Sequence, residues 1–282
     1  MSSAKTYLKN FYKYMKNKGF KQGGVAYVNL TPINDKELLY GKKILVTGGS
    51  SGIGFAVAKR CIESGARVII TGRSKDRLKE AVNNLGNSAD YYVSDIRNIT
   101  EYDEFLKSNH FDCIVNNAGI SPSGADYIEC DENVYNEVMD INLKSVYFLC
   151  QSYINCCLSN GVNGNIVNIA SNSGLVGLTS VYGLSKKAIV SLTEGIAKKY
   201  CKCGIRCNAV APDVTISNIT DWSSRFDPNG NLADQSVASG RVFRAEEVAE
   251  VVLFLLSDRS SCVNGQTIAC DNAGSLAKNS VG

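Results

Sequence analysis

The chain has 282 residues, of which 44% are hydrophobic, and its formal net charge is +3 at pH 7. This length and composition suffice for one sizeable core, and no run is long and apolar enough to predict a transmembrane segment. Eleven irregularly spaced cysteines and the lack of an apolar leader favour a cytoplasmic protein. His110 is the one histidine of the chain, so a catalytic triad based on histidine is excluded unless His110 is its base. No metal site is expected at Cys201, Cys203 and Cys207.

Residues 1–40 are predicted to form a basic extension before a catalytic domain over residues 41–282. Nine lysines against two acids give residues 1–43 a net charge of +7, whereas the remainder carries −4. Residues 7–15 have near-helical apolar spacing, which favours an amphipathic helix, and residues 25–30 alternate as a short strand would. The extension could pack on its own domain or on a neighbouring subunit, touch an anionic membrane surface, or bind a partner. No recognition motif accompanies the charge, so nucleic-acid binding is not expected.

The next segment combines a strand, a glycine-rich turn and a helix start. The apolar run Lys43–Thr47 predicts a buried strand, and residues 55–62 have a helical pattern. Glycines permit a tight turn and a close backbone approach, and a helix N-terminus offers free N–H groups to a pyrophosphate. The segment therefore predicts dinucleotide binding through Gly48, Ser50, Ser51, Gly52, Ile53 and Gly54.

The end of the second predicted strand, at residues 68–70, bears on the choice of cofactor. A dinucleotide fold that takes NAD usually places an acid there, but this chain has Arg73 and Ser74, and its first carboxylate is Asp76. Arg73, with Lys75 near it, could pair with a 2′-phosphate. We therefore favour NADP(H) over NAD(H), which is the alternative if Arg73 simply faces solvent.

Apolar runs and helical stretches alternate through the rest of the chain. The further predicted strands lie at residues 91–93, 113–115, 165–169, 205–210 and 267–269. Alternation of nearly continuous apolar strands with helices implies a parallel sheet that is buried on both faces. The predicted fold class is α/β: one doubly wound (Rossmann) domain with helices on both faces and ligands at the carboxyl ends of the strands.

The most informative side chains are Tyr182 and Lys186, four residues apart on a predicted helix and hence on one face. A tyrosine has a pKa of about 10, and an adjacent ammonium is expected to lower it toward the working range. Ser171 ends the strand run before this helix and could hold a carbonyl oxygen while Tyr182 exchanges its proton. Ser173 is a rival for the serine role.

Taken together, these motifs resemble the short-chain dehydrogenase/reductase family in its compact single-domain form, over about residues 40–274. The resemblance rests on Thr47-Gly48-x-x-x-Gly52-x-Gly54, Asn116-Asn117-Ala118-Gly119, Asn142, Ser171 and Tyr182-x-x-x-Lys186. It implies catalysis by Asn142, Ser171, Tyr182 and Lys186, with Asn142 binding a water that links Lys186 to solvent. It also implies cofactor contacts from Asp95, Ile96, Asn117, Ala118, Gly119, Tyr182, Lys186, Pro212, Val214, Thr215 and Ser217.

Several places depart from the family pattern. Ser171 and Tyr182 are 11 positions apart, about two fewer than is usual, so the loop 174–180 is short. Asp213 stands where a glycine commonly follows Pro212, and could mark a substrate with polar or basic groups. Residues 271–274 replace the usual Asp-Gly-Gly. The substrate is expected at 121–130 and 217–241, where Trp222, Phe226 and Tyr127 could form an apolar wall and Arg225 and Arg241 could bind an acid.

The expected reaction is hydride transfer between a small-molecule ketone or other carbonyl and a secondary alcohol, dependent on NADP(H). Residues 133–159 are apolar on more than one helical face, which favours a homodimer or homotetramer. The alternatives are an NAD-dependent alcohol or sugar dehydrogenase, a nucleotide-sugar epimerase or dehydratase, and a non-catalytic nucleotide-binding scaffold. Epimerases and dehydratases need a larger C-terminal domain than the 70 residues after Pro212 allow.

Overall fold

A computed structural model describes residues 35–216, 232, 237 and 239–276. Its described part contains one parallel sheet of seven strands in the order β3-β2-β1-β4-β5-β6-β7. The strands are β1 (Lys43–Thr47), β2 (Arg67–Gly72), β3 (Ala89–Val93), β4 (Cys113–Asn116), β5 (Gly164–Ile169), β6 (Ile205–Pro212) and β7 (Thr267–Cys270). Each of the seven strands predicted within these described residues is confirmed, and so is the doubly wound fold class. The order reverses between β1 and β4, which is where such sheets bind ligands.

Helices cover both faces of this sheet. They are α1 (Gly52–Glu63), α2 (Lys75–Leu85), α3 (Ile99–Ser108), α4 (Glu132–Met139), α5 (Ser145–Asn160), α6 (Val181–Tyr200) and α7 (Ala245–Leu256). Helix α1 packs against α2 and α7, whereas α3 packs against α5, and α4 against α6. These two layers account for the nearly continuous apolar strands, since Ile44, Leu45 and Val46 of β1 are fully buried.

Buried asparagines link the central strands to helix α6. Asn116 at the end of β4 donates from Nδ2 to Oδ1 of Asn168 in β5, at 2.8 Å. Asn168 in turn donates from Nδ2 to Oγ1 of Thr193 in α6, at 2.9 Å. A buried amide needs such partners, so this chain of bonds favours one position of α6 against the sheet. That position matters because α6 carries Tyr182 and Lys186.

The start of the described chain belongs to the packed body of the domain. Leu38 and Leu39 are buried, and the Leu39 N–H donates to the Ser64 carbonyl at 2.9 Å. The predicted helix at 7–15 and the predicted strand at 25–30 lie outside the described residues, so the division at residue 40 stays a prediction. No helix within 35–216 or 239–276 combines the length and apolarity needed to span a membrane.

The turn after β7 holds two residues in the left-handed backbone region. Asn272 has φ 47° and Ala273 has φ 64°, where the family pattern has glycines. The buried carboxylate of Asp271 stabilises the turn, accepting from the N–H groups of Ala273 at 3.1 Å and Ser275 at 2.8 Å. Asparagine tolerates this conformation, but alanine does so at a cost because its Cβ approaches the following carbonyl.

Replacing Ala273 by glycine is therefore expected to stabilise the protein by about 0.5–1 kcal/mol, after allowance for the greater freedom of glycine in the unfolded chain. Urea denaturation measures the change. Asn272→Gly is the matched control, with a smaller gain expected from a residue that already accepts positive φ. A loss of stability in Ala273→Gly would contradict the assigned strain.

Candidate active site

A cavity of about 660 Å³ opens at the carboxyl ends of the strands, on both sides of the β1/β4 reversal. It brings together most of the residues singled out from the sequence. Those that line it are Gly48, Ser50, Ser51, Gly52, Ile53, Arg73, Ser74, Asp95, Ile96, Asn117, Ala118, Gly119, Ser171, Tyr182, Lys186, Pro212, Val214 and Thr215. Gly54 and Asn142 lie behind the cavity wall, and Ser217 lies outside the described residues.

The glycine-rich turn after β1 forms a cradle with an open helix end. Gly48 and Gly52 have φ values of 65° and 55°, which favour glycine. A Cβ on Gly54 would collide with the Asn117 side chain, so this position must stay bare. Ser51 caps α1 without a side-chain hydrogen bond, and the first turn of α1 contains no acid. Its N–H groups are therefore available to an anion, which fits a dinucleotide pyrophosphate.

Asn117 and Thr47 hold this turn against the end of β4. Asn117 Nδ2 donates to the carbonyls of Thr47 and Gly48 at 2.9 and 3.0 Å. Thr47 Oγ1 accepts from the N–H groups of Asn117 and Ala118 at 3.0 and 3.1 Å. These reciprocal bonds across the strand reversal fix the floor of the cavity.

The end of the cavity next to β2 is basic. Arg73 and Arg77 are exposed and line it, and Ser74 caps helix α2 by accepting from the Arg77 N–H at 3.4 Å. Sequence reasoning missed Arg77 and named Lys75, which does not line the cavity. The available signal was Ser74, because serine is a favoured helix N-cap residue and a helix that starts after it places residue 77 in its first turn, beside the end of β2.

Asp95, also at this end, is engaged in an ion pair. It binds Arg97, with Arg97 Nη2 2.6 Å from Asp95 Oδ2. This hydrogen bond is the main reason why the pKa of Asp95 lies below its usual value, and Arg73 adds a weaker effect. An anion that is already paired repels a nearby phosphate less than a free one would.

The other end of the cavity holds the predicted catalytic group. Ser180 caps α6, accepting from the Gly183 N–H at 3.2 Å, and the first turn then presents Tyr182 and Lys186 together. Lys186 is 5% exposed, and its Nζ donates to the Ile169 carbonyl at 2.8 Å and lies 5.7 Å from the Tyr182 ring centroid. Ser171 lies two residues after the end of β5, and its Oγ accepts from the Ser173 N–H at 3.2 Å. Ser173 also lines the cavity, and its N–H supports the Ser171 hydroxyl.

The expectation that the pKa of Tyr182 is lowered toward the working range is wrong. Burial raises the pKa of Tyr182, because a phenolate is poorly stabilised away from water, while a hydrogen bond with Ser171 acts in the opposite direction. Burial also lowers the pKa of Lys186 from its usual 10.5 to about 8. The sequence places the two groups on one face but does not reveal that Lys186 is buried and Tyr182 half-buried.

Asn142 lies at the centre of a π-helical segment, Asp140–Lys144, between α4 and α5. Its Oδ1 accepts from the Ile120 N–H at 2.8 Å, and its Nδ2 donates to the Ile120 carbonyl at 2.9 Å and to Ser185 Oγ at 3.3 Å. The helix predicted over 133–159 is therefore divided, and Asn142 binds the chain after β4 at the irregularity. A Cβ on Gly119 would lie 3.2 Å from Asn142 Oδ1 and 3.5 Å from Lys186 Nζ, so only a bare backbone separates the two groups.

The short loop between Ser171 and Tyr182 closes tightly on α6. A Cβ on Gly174 would lie 2.7 Å from the carbonyl carbon of Lys186, and one on Gly183 would lie 2.9 Å from Leu178 Cβ. Glycines at these two positions let the loop lie against the helix, so Tyr182 still lines the cavity although the loop is about two residues shorter than is usual in the family.

Of the predicted substrate region, the described residues include Tyr127, which is exposed, and Arg241, which pairs with Glu247 at 2.7 Å. Trp222, Arg225 and Phe226 lie outside the described residues.

Comparison with known proteins identifies the class to which this fold and site belong. Residues 48–273 match the family described as Enoyl-(Acyl carrier protein) reductase. With that match and relatives more than 30% identical over most of its length, the chain belongs to the short-chain dehydrogenase/reductase family. It is an oxidoreductase that acts on carbonyl or alcohol groups.

Particular relatives differ in the substrates they are named for. The chain is 34% identical to a 3-oxoacyl-(acyl-carrier-protein) reductase of Chlamydia pneumoniae, over 83% of this chain and 96% of that protein. It is 32% identical to an A-factor type gamma-butyrolactone 1′-reductase of Streptomyces virginiae, over 83% and 95%. A solved structure with bound NADP, provisionally assigned as a 2-deoxy-D-gluconate 3-dehydrogenase of Agrobacterium tumefaciens, aligns with a TM-score of 0.76 at 30% identity, over 87% and 100%.

The burial of Lys186 predicts a stability cost at the active site. Replacing it by methionine is expected to stabilise the unliganded protein at pH 7 by about 1–2 kcal/mol and to abolish turnover. A pKa lowered from 10.5 to about 8 corresponds to roughly 3 kcal/mol, partly offset by about 1 kcal/mol for the lost bond to Ile169. Between pH 8 and 10.5 the unfolded chain holds more protons than the folded one, so the stability of the wild type rises with pH. The difference in stability between Lys186→Met and wild type therefore becomes smaller over this range.

Urea denaturation at pH 7 and pH 10 measures the difference in unfolding free energy between Lys186→Met and wild type. Lys187→Met is the matched control, because the neighbouring Lys187 is exposed and its replacement should change stability by less than about 0.5 kcal/mol at either pH. A Lys186→Met protein less stable than wild type at pH 7 would show that the buried ammonium is not a net cost.

Proposed function

We propose that this protein is an NADP(H)-dependent oxidoreductase that interconverts a ketone or other carbonyl with a secondary alcohol. The observation that carries the proposal is the shared cavity: the open N-terminus of α1 lies at its floor, and Ser171, Tyr182 and Lys186 line its far end. A bound pyridine nucleotide supplies or accepts the hydride. The residues of this chain bind the reacting oxygen and exchange its proton.

In the reducing direction, negative charge develops on the carbonyl oxygen, and hydrogen-bond donors must stabilise it there. Ser171 Oγ donates a hydrogen bond to that oxygen, and the Tyr182 hydroxyl supplies the proton. The raised pKa of Tyr182 keeps the phenol protonated and ready to donate at neutral pH. The buried Lys186 ammonium stabilises the phenolate left behind, which is how its charge assists although the resting tyrosine is not acidic.

Asn142 supports a route for replacing the proton. Its amide is anchored to Ile120 and lies close to Lys186 across Gly119. A water held between Asn142 and Lys186 would return a proton to Tyr182 from solvent. The π-helical segment is the structural means by which Asn142 reaches this position, so one residue serves both the bend and the relay.

The basic end of the cavity supports NADP(H) as the cofactor. Arg73 and Arg77 both line it, and Asp95, the carboxylate among the described residues that line this end, is paired with Arg97. Guanidinium groups bind phosphate through paired hydrogen bonds, whereas a free acid at this place would suit the ribose hydroxyls of NAD. The bound NADP of the Agrobacterium structure agrees with this preference.

A homo-oligomer is also part of the proposal. Helix α5 is apolar on more than one side, and Tyr147, which is 48% exposed, packs edge-on against Phe148 on its surface. Phe148 also lines a groove between α3 and α5, most of whose lining residues are polar. The apolar part of this surface is therefore Tyr147 with Phe148 beside it, and a second subunit would cover it.

Replacing Tyr182 by phenylalanine is expected to lower kcat by at least about 10³-fold, because the proton donor is lost, while the Kd for NADPH changes less than about threefold. Stopped-flow absorbance of NADPH oxidation and fluorescence titration measure the two effects. Tyr200→Phe, at the far end of the same helix, is the matched control and should retain wild-type turnover. Turnover equal to wild type in Tyr182→Phe would exclude the proposed mechanism.

Reversing the charge of Arg73 tests the cofactor preference. In Arg73→Glu, the Kd for NADPH is expected to rise by about 10- to 100-fold, with little change for NADH, because only NADPH carries the 2′-phosphate. Lys75→Glu makes the same charge change at a residue that does not line the cavity and should alter either Kd by less than about threefold. Equal weakening of both nucleotides in Arg73→Glu would show that Arg73 does not read the phosphate.

A further inference from the structure

Asp213 places a carboxylate in the wall of the catalytic end of the cavity. It follows Pro212, the last residue of β6, and lines the same cavity as Ser171 and Tyr182. Ile169 of β5 pairs with Val210 of β6, so the continued register sets Pro212 opposite Ser171. Neighbouring strands are about 4.8 Å apart, so Pro212 is the neighbour of Ser171 and Asp213 is the next residue along β6's continuation.

Asp213 does not offer either carboxylate oxygen to a ligand, because one oxygen is already hydrogen-bonded and the other is buried. Oδ1 accepts from the Val214 N–H at 2.8 Å. Oδ2 is buried without a hydrogen-bond partner and faces Gly274, where a Cβ would lie 3.0 Å away. In the described part of the chain Asp213 forms no ion pair. Asp213 therefore acts on the cavity through its charge rather than through a hydrogen bond to substrate.

The charges that line the cavity are separated along its length. Arg73, Arg77 and the paired Asp95 lie at the β2 end, whereas Lys186 and Asp213 are the charged side chains at the catalytic end among the described lining residues. The Lys186 ammonium is held by the Ile169 carbonyl. The Asp213 charge has no cation of the described chain against it, so a positive group brought into this end would be attracted.

We propose that Asp213 makes this site bind the oxidised pyridine nucleotide in preference to the reduced one, and so favours carbonyl reduction on the enzyme. The inference rests on the proposed function, which brings the reactive ring to Tyr182. The oxidised ring carries a positive charge that the reduced ring lacks, so a nearby carboxylate stabilises only the oxidised form. In carbonyl reduction a bound reduced ring would give its C–H hydride to the carbonyl carbon, while the Tyr182 hydroxyl gives its proton to the carbonyl oxygen and is left as the phenolate.

Calorimetric titration of wild type, Asp213→Asn and Asp213→Gly with NADP⁺ and with NADPH tests the proposal. Removing the charge is expected to raise the Kd for NADP⁺ on the order of 10-fold, which is about 1.4 kcal/mol, and to change the Kd for NADPH less than about twofold. Asparagine keeps an acceptor for the Val214 N–H. Glycine provides a second neutral variant if Asp213→Asn does not fold, which thermal denaturation reports.

Asp95→Asn is the matched control, because it removes a charge at the other end of the same cavity. It should leave the ratio of the two Kd values unchanged, even if both constants shift. Equal changes for NADP⁺ and NADPH in the Asp213 variants, or no change in either, would overturn the inference. So would an effect confined to the KM for the alcohol, which would mean that Asp213 contacts substrate. Failure of wild type to bind either nucleotide would instead refute the proposed function.

Discussion

The bond between the Lys186 ammonium and the Ile169 carbonyl joins the two halves of the active site. Ile169 is the last residue of β5, and Ser171 lies two residues beyond it, while Lys186 lies one helical turn after Tyr182 on α6. This single buried contact therefore sets the strand end that carries the serine against the helix that carries the tyrosine. A charge-assisted hydrogen bond away from water is strong, but it also keeps a poorly solvated charge in the protein, as the lowered pKa of Lys186 records. Stability is thus reduced at the place where the phenolate of Tyr182 needs a positive neighbour.

The remainder of the fold supports that contact. The line of amides from Asn116 through Asn168 to Thr193 favours one position of α6 on the sheet, and the glycines at 174 and 183 let a short loop close on it. On the other side, the π-helical segment turns Asn142 toward Ile120 and fixes the chain after β4. In each of these features a buried polar group or a glycine sets the position of the neighbouring backbone. An ordinary apolar contact would not fix that position.

Much of this architecture could be predicted from residue patterns. Apolar runs separated by helical stretches define a doubly wound sheet because parallel strands are buried on both faces, and all seven strands occur where the pattern indicates. The glycine-rich turn and the Tyr182/Lys186 pair are local, so their spacing survives in the structure. What depends on tertiary burial could not be predicted. The raised pKa of Tyr182 depends on distant elements, and the partner-free oxygen of Asp213 depends on Gly274, some sixty residues later in the chain.

A crystal structure with bound NADP⁺ tests the central claim most directly. The account predicts the pyrophosphate at the N-terminus of α1, the 2′-phosphate between Arg73 and Arg77, and the nicotinamide ring between Tyr182 and Asp213. It also predicts a hydrogen bond from Lys186 that still reaches the Ile169 carbonyl or has moved onto the nucleotide ribose. A nicotinamide ring bound away from the Tyr182 hydroxyl would contradict the account, since proton and hydride could not then pass to the same substrate.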